Sequence, residues 1–415
     1  MRALNSPAAS RSRLRWYICG LLFLATTINY IDRQVLGLLK PVISRELGWN
    51  EADFGWIIAA FQTAYAVMMP VAGRMIDWIG PKRGYAIAIS LWSLAAMAHS
   101  LCRSAAQFAV ARFCLGLGES ANFPAAIRTV TDWFPREERA LATGLFNSGS
   151  NIGALVAPLA VPWITVRFGW RAAFLFTSGI VVVWLILWFT GNRSHGSSLQ
   201  AAPAKPRRIP YRTLLAERGA WAFLIGKFLT DPVWWFYLFW LPGFLNSSFN
   251  LNLVAMGLPL VAIYLWADVG SIAGGWFSSA LLKRGWSVNA ARKTAMLVCA
   301  LAVTGVMLVP RTNGNLWWAV TLIGIAAGAH QGWSANLFTL VSDMFPDAAV
   351  GSVVGLGGLG GAIGGALVSP IVGYWLDFSH RAYGPLFVAG GSMYLIALAV
   401  IQWLVPRLET KIATT

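Results

Sequence analysis

The sequence predicts an all-α membrane protein whose twelve transmembrane helices form two six-helix bundles. Of its 415 residues, 57% are hydrophobic and only 12% are charged. Soluble domains carry about 25% charged residues, so much of this protein's surface is expected to face lipid. The 22 Trp agree with this prediction, because indole rings favour the membrane interface.

Twelve apolar stretches are long enough to cross a bilayer as helices. The predicted spans are 15–38, 53–77, 84–101, 105–131, 140–165, 170–190, 218–245, 253–281, 292–309, 315–342, 348–377 and 383–405. Four arginines precede the first span, as in a signal peptide, but no small-residue cleavage site follows and Asp32-Arg33 interrupts the apolar run. We therefore expect a retained first helix.

Basic residues are concentrated in alternate loops, and this bias predicts the orientation. With the N-terminus inside, the inner loops hold Lys82, Arg83, Arg136, Arg139, Lys205, Arg207, Arg208, Arg212, Lys283, Arg284, Arg292 and Lys293. Both termini are therefore predicted to be cytoplasmic, in a bacterial inner membrane. The loops account for the net charge of +16, and without a basic patch on a soluble domain we exclude nucleic acid as a partner.

A polar connector at 191–217, rich in Gly, Ser, Pro and basic residues, divides the chain into an N-terminal bundle (1–190) and a C-terminal bundle (218–415). The halves repeat each other in three places, in the same order. The matching stretches are 73–83 with 274–284, 132–135 with 343–346, and 149–158 with 361–370. Parallel six-helix repeats are a transporter architecture, in which two halves rock about a central site.

The inner loop after the second span carries Gly73, Asp77, Gly80 and Arg83. This pattern resembles the signature loop of the major facilitator superfamily. Gly73 permits close helix approach, Asp77 caps a helix or pairs with a cation at an inner gate, and Gly80 makes the turn. The alternative is an ordinary basic turn. Ser278 replaces the aspartate in the second half, so we expect a strong charge interaction at this gate on one side only.

Further stretches narrow the resemblance to one branch. Residues 29–33, 112–119 and 146–149 resemble the anion:cation symporters, and 231–235, 267–270 and 329–331 resemble the hexuronate transporters among them. The resemblance implies a monomeric, proton-coupled importer of a sugar-acid anion such as glucuronate or galacturonate, embedded in lipid and without a cofactor. Carriers of aldonates, such as galactonate, or of other small carboxylates remain alternatives, as does a non-transporting sensor on the same fold.

Charged residues inside the predicted spans are candidates for function, because each costs about 2.5–3.5 kcal/mol on insertion scales. Arg33 offers a planar fork that suits a carboxylate, so we assign it to the substrate. Asp32 is assigned to proton exchange, and the resemblance implies the same two roles. Tyr30 belongs to the same motif and is included in the substrate site. The alternative is that Asp32 and Arg33 only neutralise each other.

Arg112 and Glu119 are seven residues apart and share one helix face, with about 10 Å between them along the axis. They are therefore not expected to pair directly. Glu119 lies among small residues near the middle of its span and is predicted to carry a proton, which the resemblance also implies. Arg112 is assigned to the substrate. A structural ion pair or polar helix contact is the alternative.

The remaining candidates are polar or aromatic side chains that suit a sugar. They are Tyr65, which shares a face with Gln62, then Asn147, Lys227, Trp234 or its neighbour Trp235, His330 and Gln331. Lys227 and Asp231 are four residues apart and are predicted to form a salt bridge. For Tyr65 the alternative is an interhelical hydrogen bond, and for His330 it is a structural role.

No enzyme chemistry is indicated by the sequence. It shows no cluster of nucleophile, base and orienting group and no nucleotide-binding loop. Its four cysteines, Cys19, Cys102, Cys114 and Cys299, lack metal-ligand spacing, so no metal is expected. The prediction is transport by alternating access.

Overall fold

A computed structural model describes residues 7–134, 136–191 and 209–408, and within these ranges all regular structure is helical. The first half contains α1 (Pro7–Leu47), α2 (Glu51–Ile79), α3 (Pro81–Ala98), α4 (Ala105–Glu119), α5 (Asn122–Trp133), α6 (Arg136–Phe168), α7 (Trp170–Gly179) and α8 (Val181–Gly191). The second contains α9 (Tyr211–Leu215), α10 (Arg218–Phe249), α11 (Gly257–Lys283), α12 (Val288–Thr304), α13 (Leu316–Met344), α14 (Asp347–Phe378) and α15 (Gly384–Leu404). Short 3-10 turns follow α3 and α12.

These helices account for all twelve predicted spans. Two spans are each built from two consecutive helices, α4 with α5 and α7 with α8. The short helix α9 lies inside the connector predicted at 191–217, whose residues 192–208 lie outside the described ranges. The sequence predicted no helix there.

Nine helical segments of the described chain are long and apolar enough to cross a membrane by length and composition. The spans built from α4–α5, α10 and α13 are not among them. These three spans carry Arg112 with Glu119, Lys227 with Asp231, and His330. Each of these three spans therefore holds candidate functional residues, as α1 with Arg33 and α2 with Tyr65 also do.

Helix α1 continues to Leu47, well beyond the predicted end at residue 38. Lys40 lies just past that predicted end, where a cation interrupts the apolar sequence. In the structure Lys40 is buried and pairs with the Glu51 carboxylate, so the helix continues past it.

The break between α4 and α5 falls directly after Glu119. A Cβ atom at Gly118 would lie only 2.8 Å from the Trp92 backbone nitrogen, so a glycine is required for α4 to pack this closely on α3. The hydroxyl of Ser120 then donates to the Leu117 carbonyl (2.8 Å) at the break. Glu119 is thereby held at the end of a tightly packed helix segment.

The two predicted halves meet along α1 with α10, α2 with α14, and α6 with α11. Glycines allow these close contacts. A Cβ atom at Gly55 of α2 would lie 3.0 Å from the Pro370 Cα of α14, and one at Gly257 of α11 would lie 2.8 Å from the Pro158 carbonyl oxygen of α6. The residues described below lie at and near these contacts.

Candidate functional site

Arg33 lies where α1, α4 and α10 come together and forms a buried ion pair with Glu119. Its Nη2 is 2.7 Å from Glu119 Oε2, and its Nε donates to the same oxygen at 2.8 Å. Asn29, one turn earlier on α1, accepts a hydrogen bond from Nη2 at 3.3 Å. Both charged side chains are almost completely buried. One guanidinium edge is thus occupied by a carboxylate from the protein itself.

Aromatic rings surround the Arg33 guanidinium. Its central carbon is 4.9 Å from the ring centre of Tyr30, 5.3 Å from those of Phe61 and Tyr65, and 5.5 Å from that of Trp235. Trp235 belongs to α10, in the other half. Cation–π attraction stabilises a guanidinium in such a setting. The cluster therefore couples the central cation of one half to an aromatic ring of the other.

Arg112 lies behind Arg33 and is fully buried. Its Nη2 donates to the Arg33 carbonyl oxygen at 2.9 Å, and its Nε and Nη1 have no hydrogen-bond partner among the described residues. As predicted, it does not pair directly with Glu119. The sequence assigned Arg112 to the substrate, whereas the structure shows it supporting the α1 backbone at Arg33.

Asp32 faces away from Arg33. It is 2% exposed, and its Oδ1 accepts a hydrogen bond from the Ser178 hydroxyl at 2.8 Å. Its Oδ2 has no partner among the described residues. Ser178 lies beside the break between α7 and α8. Because no ion pair joins Asp32 to Arg33, the alternative of mutual neutralisation is not supported in the described structure.

The predicted salt bridge on α10 is present. Lys227 Nζ is 2.9 Å from Asp231 Oδ2, and the ammonium lies 4.7 Å from the Phe338 ring centre. Gly361 of α14 packs directly against the Asp231 carboxylate and leaves no room for a side chain. Lys227, which the sequence assigned to the substrate, is therefore neutralised within its own helix.

Trp234 and Trp235 point in different directions, as expected of neighbours on a helix. Trp234 stacks on His330, with 5.1 Å between ring centres and 6° between ring planes. The Nδ1 atom of His330 forms a hydrogen bond with the Tyr394 hydroxyl at 2.5 Å. Trp235 is the one that faces Arg33. Adjacent tryptophans in a helix give no sequence signal that separates these two positions.

Gln62 forms a polar link between the halves. Its Oε1 accepts a hydrogen bond from Ser369 of α14 at 3.2 Å, whereas Tyr65 one turn away lies against Arg33. Asn147 is exposed and Gln331 is partly buried, and neither side chain makes a described hydrogen bond to this cluster. Sequence reasoning missed Ser369 as a site residue, because a lone serine in an apolar span carries no signal and its partner Gln62 lies 307 residues away.

At the predicted inner gate, Gly80 adopts a positive φ of 87° in the turn between α2 and α3, as expected of a glycine turn. Gly73 lies within α2 and Arg83 within α3, but the Asp77 side chain lies outside the described part of the structure. In the second half, Arg292 donates to Ser278 at 2.8 Å and pairs with Asp343 at 3.0 Å. The second half therefore has its own ion pair beside Ser278. The expectation of a strong charge interaction on one side only stays a prediction, since it concerns Asp77.

At the end of the protein opposite the predicted inner gate, four charged residues join the two halves. We call this cluster the outer latch, and its members are Lys40, Glu51, Asp377 and Arg381. The Glu51 carboxylate pairs with Lys40 and, at 3.2 Å, with Arg381 of the other half. Asp377 accepts hydrogen bonds from the backbone N–H groups of Glu51 (2.8 Å) and Ala52 (2.7 Å). An α14 carboxylate thus caps the first turn of α2, where the helix dipole favours negative charge.

Comparisons with known proteins agree with this architecture. The hexuronate transporter of Escherichia coli (strain K12) is 32% identical over 407 residues, covering 94% of this chain and 93% of that protein. The galacturonate transporter of Dickeya chrysanthemi is 32% identical, covering 70% and 90%. The D-galactonate transporter of Escherichia coli O6:H1 is 27% identical, covering 95% of each.

Solved structures show the same fold at low sequence identity. A bacterial homologue of the human lysosomal transporter Spinster, in an inward-facing and unoccupied conformation, matches with a TM-score of 0.73 at 17% identity, over 95% of each chain. The D-xylose-proton symporter matches with a TM-score of 0.72 at 15% identity, over 95% of this chain and 99% of that one. Residues 22–369, which are most of the chain, match the model of the Major Facilitator Superfamily. The chain therefore belongs to the Major Facilitator Superfamily.

Proposed function

We propose that this protein is a proton-coupled symporter that imports a sugar-acid anion, a hexuronate such as glucuronate or galacturonate, by alternating access. The observation that carries the proposal is the buried Arg33–Glu119 pair at the contact between halves. The similarity to hexuronate and galacturonate transporters supports the substrate class. We place both termini in the cytoplasm of a bacterial cell, with bundles 1–190 and 218–415 joined by connector 191–217, and expect a monomer in lipid.

Competition for Arg33 explains how protons couple to the anion. A buried cation left without a partner costs several kcal/mol, so Arg33 stays paired with either Glu119 or a substrate carboxylate. Protonation of Glu119 removes its charge and releases the guanidinium fork, which then donates two parallel hydrogen bonds to the substrate carboxylate. Proton and anion therefore bind with positive coupling, and this coupling is reciprocal.

Asp32 supplies a second proton site on the other side of α1. It has no cation partner, and its Oδ2 lacks a hydrogen-bond partner among the described residues. Ser178 holds it beside the α7–α8 break, where a change in helix packing would alter its access to water. Asp32 and Glu119 take up protons from the outside. They release these protons to the inside after the halves rock.

Recognition of the sugar itself is assigned to both halves. Tyr30, Tyr65 and Trp235 present ring faces around Arg33, and flat apolar ring faces suit the C–H face of a pyranose. Gln62 and Ser369 supply hydroxyl partners close by. This arrangement favours a ring-shaped uronate over an open-chain aldonate, which remains the second candidate because of the galactonate relative.

The charge balance favours substrates with one carboxylate. Lys227 is neutralised by Asp231, so Arg33 is the cation that protonation of Glu119 makes available. The other buried guanidinium, Arg112, supports the Arg33 carbonyl from behind and is not released by protonation of Glu119, so a dicarboxylate such as galactarate would bring a second charge that this step does not match. The site is therefore expected to prefer uronates to aldarates of the same carbon number.

An uptake and competition panel tests the proposal. Protein reconstituted in liposomes with an inward proton gradient is assayed with labelled glucuronate against unlabelled galacturonate, galactonate, galactarate and glucose. We expect strong competition by galacturonate, weaker competition by galactonate, and little by galactarate or glucose. Competition by glucose equal to that by galacturonate would contradict an anion carrier, and absence of counterflow would indicate a sensor.

A further inference from the structure

A cavity of about 740 Å³ lies above the outer latch, between the ends of α1, α6 and α10 and the turn after α14. Its size is in the range of about 300–1,000 Å³ that is typical of small-molecule sites. Its lining includes Arg45, Thr165, Asn246, Asn250, Asn252 and Arg381. We call this cavity the outer vestibule.

The vestibule is positively charged. Arg45, His380 and Arg381 line it, and no Asp or Glu is among its described lining residues. Arg45 is exposed and has no ion pair in the described structure. Asn252 uses its side-chain oxygen to accept from the backbone of Val254 and Ala255, which leaves its amide N–H groups for another partner. Cations with amides and hydroxyls around them suit a polyhydroxylated carboxylate.

The turn that carries Arg381 is conformationally strained. His380 and Arg381 have φ values of 50° and 67°, a left-handed conformation that is unfavourable for a residue other than glycine. The strained turn is held by a hydrogen bond from the Arg381 N–H to the Leu376 carbonyl at 2.7 Å. This turn places the Arg381 side chain so that it both pairs with Glu51 and lines the vestibule.

We propose that the outer vestibule is a second, weaker anion site, which receives the sugar acid on Arg45 and Arg381 before the central site. The amides of its rim bind the hydroxyls. The proposal rests on the proposed function for its substrate class and its orientation. The vestibule thus acts when the anion enters, and this role is separate from the pairing of Arg33 with Glu119.

Arg381 links the vestibule to the latch, because its side chain pairs with Glu51 while 55% exposed. A carboxylate in the vestibule and Glu51 therefore compete for one guanidinium. Occupation of the vestibule weakens the cross-half ion pair, and by linkage removal of the Glu51 charge strengthens binding in the vestibule.

Equilibrium dialysis with labelled glucuronate tests the proposal on Arg33→Gln protein, whose central site is disabled. We expect weak, saturable binding that falls at least fivefold in Arg33→Gln/Arg381→Gln and rises severalfold in Arg33→Gln/Glu51→Gln. Arg171→Gln is the matched control, since Arg171 is an exposed arginine at the same end that pairs with Glu46 and does not line the vestibule. It should leave binding within twofold.

Several results would overturn the proposal. These are no saturable binding by Arg33→Gln, binding unaffected by Arg381→Gln, or displacement by inorganic phosphate as effective as by glucuronate. If Arg33→Gln does not fold, wild-type protein should show two classes of site, and Arg381→Gln should remove the weaker one. Failure of wild-type protein to transport uronates would contradict the proposed function, whereas this binding test decides the vestibule separately.

Discussion

At the scale of single residues, Arg33 has two features that a lysine would not reproduce. Its Nε and Nη2 bind one carboxylate oxygen of Glu119, and its planar face lies among four aromatic rings. A lysine ammonium is a point charge with no fork and a strong hydration shell. The proposed exchange of partners at Arg33 therefore depends on the guanidinium rather than on positive charge alone.

Arg33→Lys should lower the rate of glucuronate uptake by about 10–100-fold. The reason is the loss of one charged hydrogen bond, worth about 1.5–3 kcal/mol, where a factor of ten corresponds to about 1.4 kcal/mol. Initial uptake rates in liposomes measure the effect. Arg171→Lys is the control and should transport normally. Unchanged uptake by Arg33→Lys would show that the fork is dispensable.

Trp235 and Trp234 offer a second test with matched chemistry. Trp235→Leu should raise the KM for glucuronate about two- to tenfold, because stacking by an aromatic ring is worth about 0.5–1.5 kcal/mol. Trp234→Leu removes a ring that packs on His330 and should leave the KM within twofold in folded protein. A larger KM effect at Trp234 would contradict the assignment of Trp235 to the site.

At the scale of helices, the hydropathy of the sequence predicted twelve spans, but not where two of them break. The α4–α5 break lies four residues before Pro124, which has no N–H group to donate to the Ser120 carbonyl, and Gly116 and Gly118 pack closely on other helices just before it. The extension of α1 past Lys40 depends on Glu51 in the next helix. Such boundaries depend on partners distant in sequence, which local hydropathy does not register.

The cap that α14 provides to α2 predicts a conformational effect of Asp377→Asn. An N-cap interaction is worth about 0.5–2 kcal/mol, so its loss should shift the population away from the latched state by about 2–30-fold. Ser369 is 4% exposed beneath the latch, and a cysteine placed there in a cysteine-free background reports opening. Labelling by a membrane-impermeant maleimide from outside should become faster.

Asp53→Asn is the matched control for this measurement. Asp53 belongs to a capping box with Asn50, which lies entirely within the N-terminal end of α2. The Asp53→Asn substitution weakens the cap at the same helix end without breaking a contact between the halves. Equal acceleration of labelling by Asp53→Asn and Asp377→Asn would show that the latch is not the cause.

At the scale of the whole molecule, three repeats in the same order predict two related halves: 73–83 with 274–284, 132–135 with 343–346, and 149–158 with 361–370. Arg33 and Glu119 are also identifiable from the sequence, since a charge within an apolar span stands out. Their direct pairing is not, because they lie 86 residues apart. The outer latch escapes sequence reasoning for the same reason, and its members lie at span ends where charges are ordinary.

We propose that Glu119 gates access of the anion to Arg33 and thereby couples anion transport to protons. The most direct measurement compares Glu119→Gln with wild-type protein in liposomes, with Glu46→Gln as a control at the outer end of α1. Glutamine cannot ionise, so the variant should retain glucuronate exchange and lose accumulation driven by a proton gradient. Proton-driven accumulation at the wild-type level in Glu119→Gln would contradict the account.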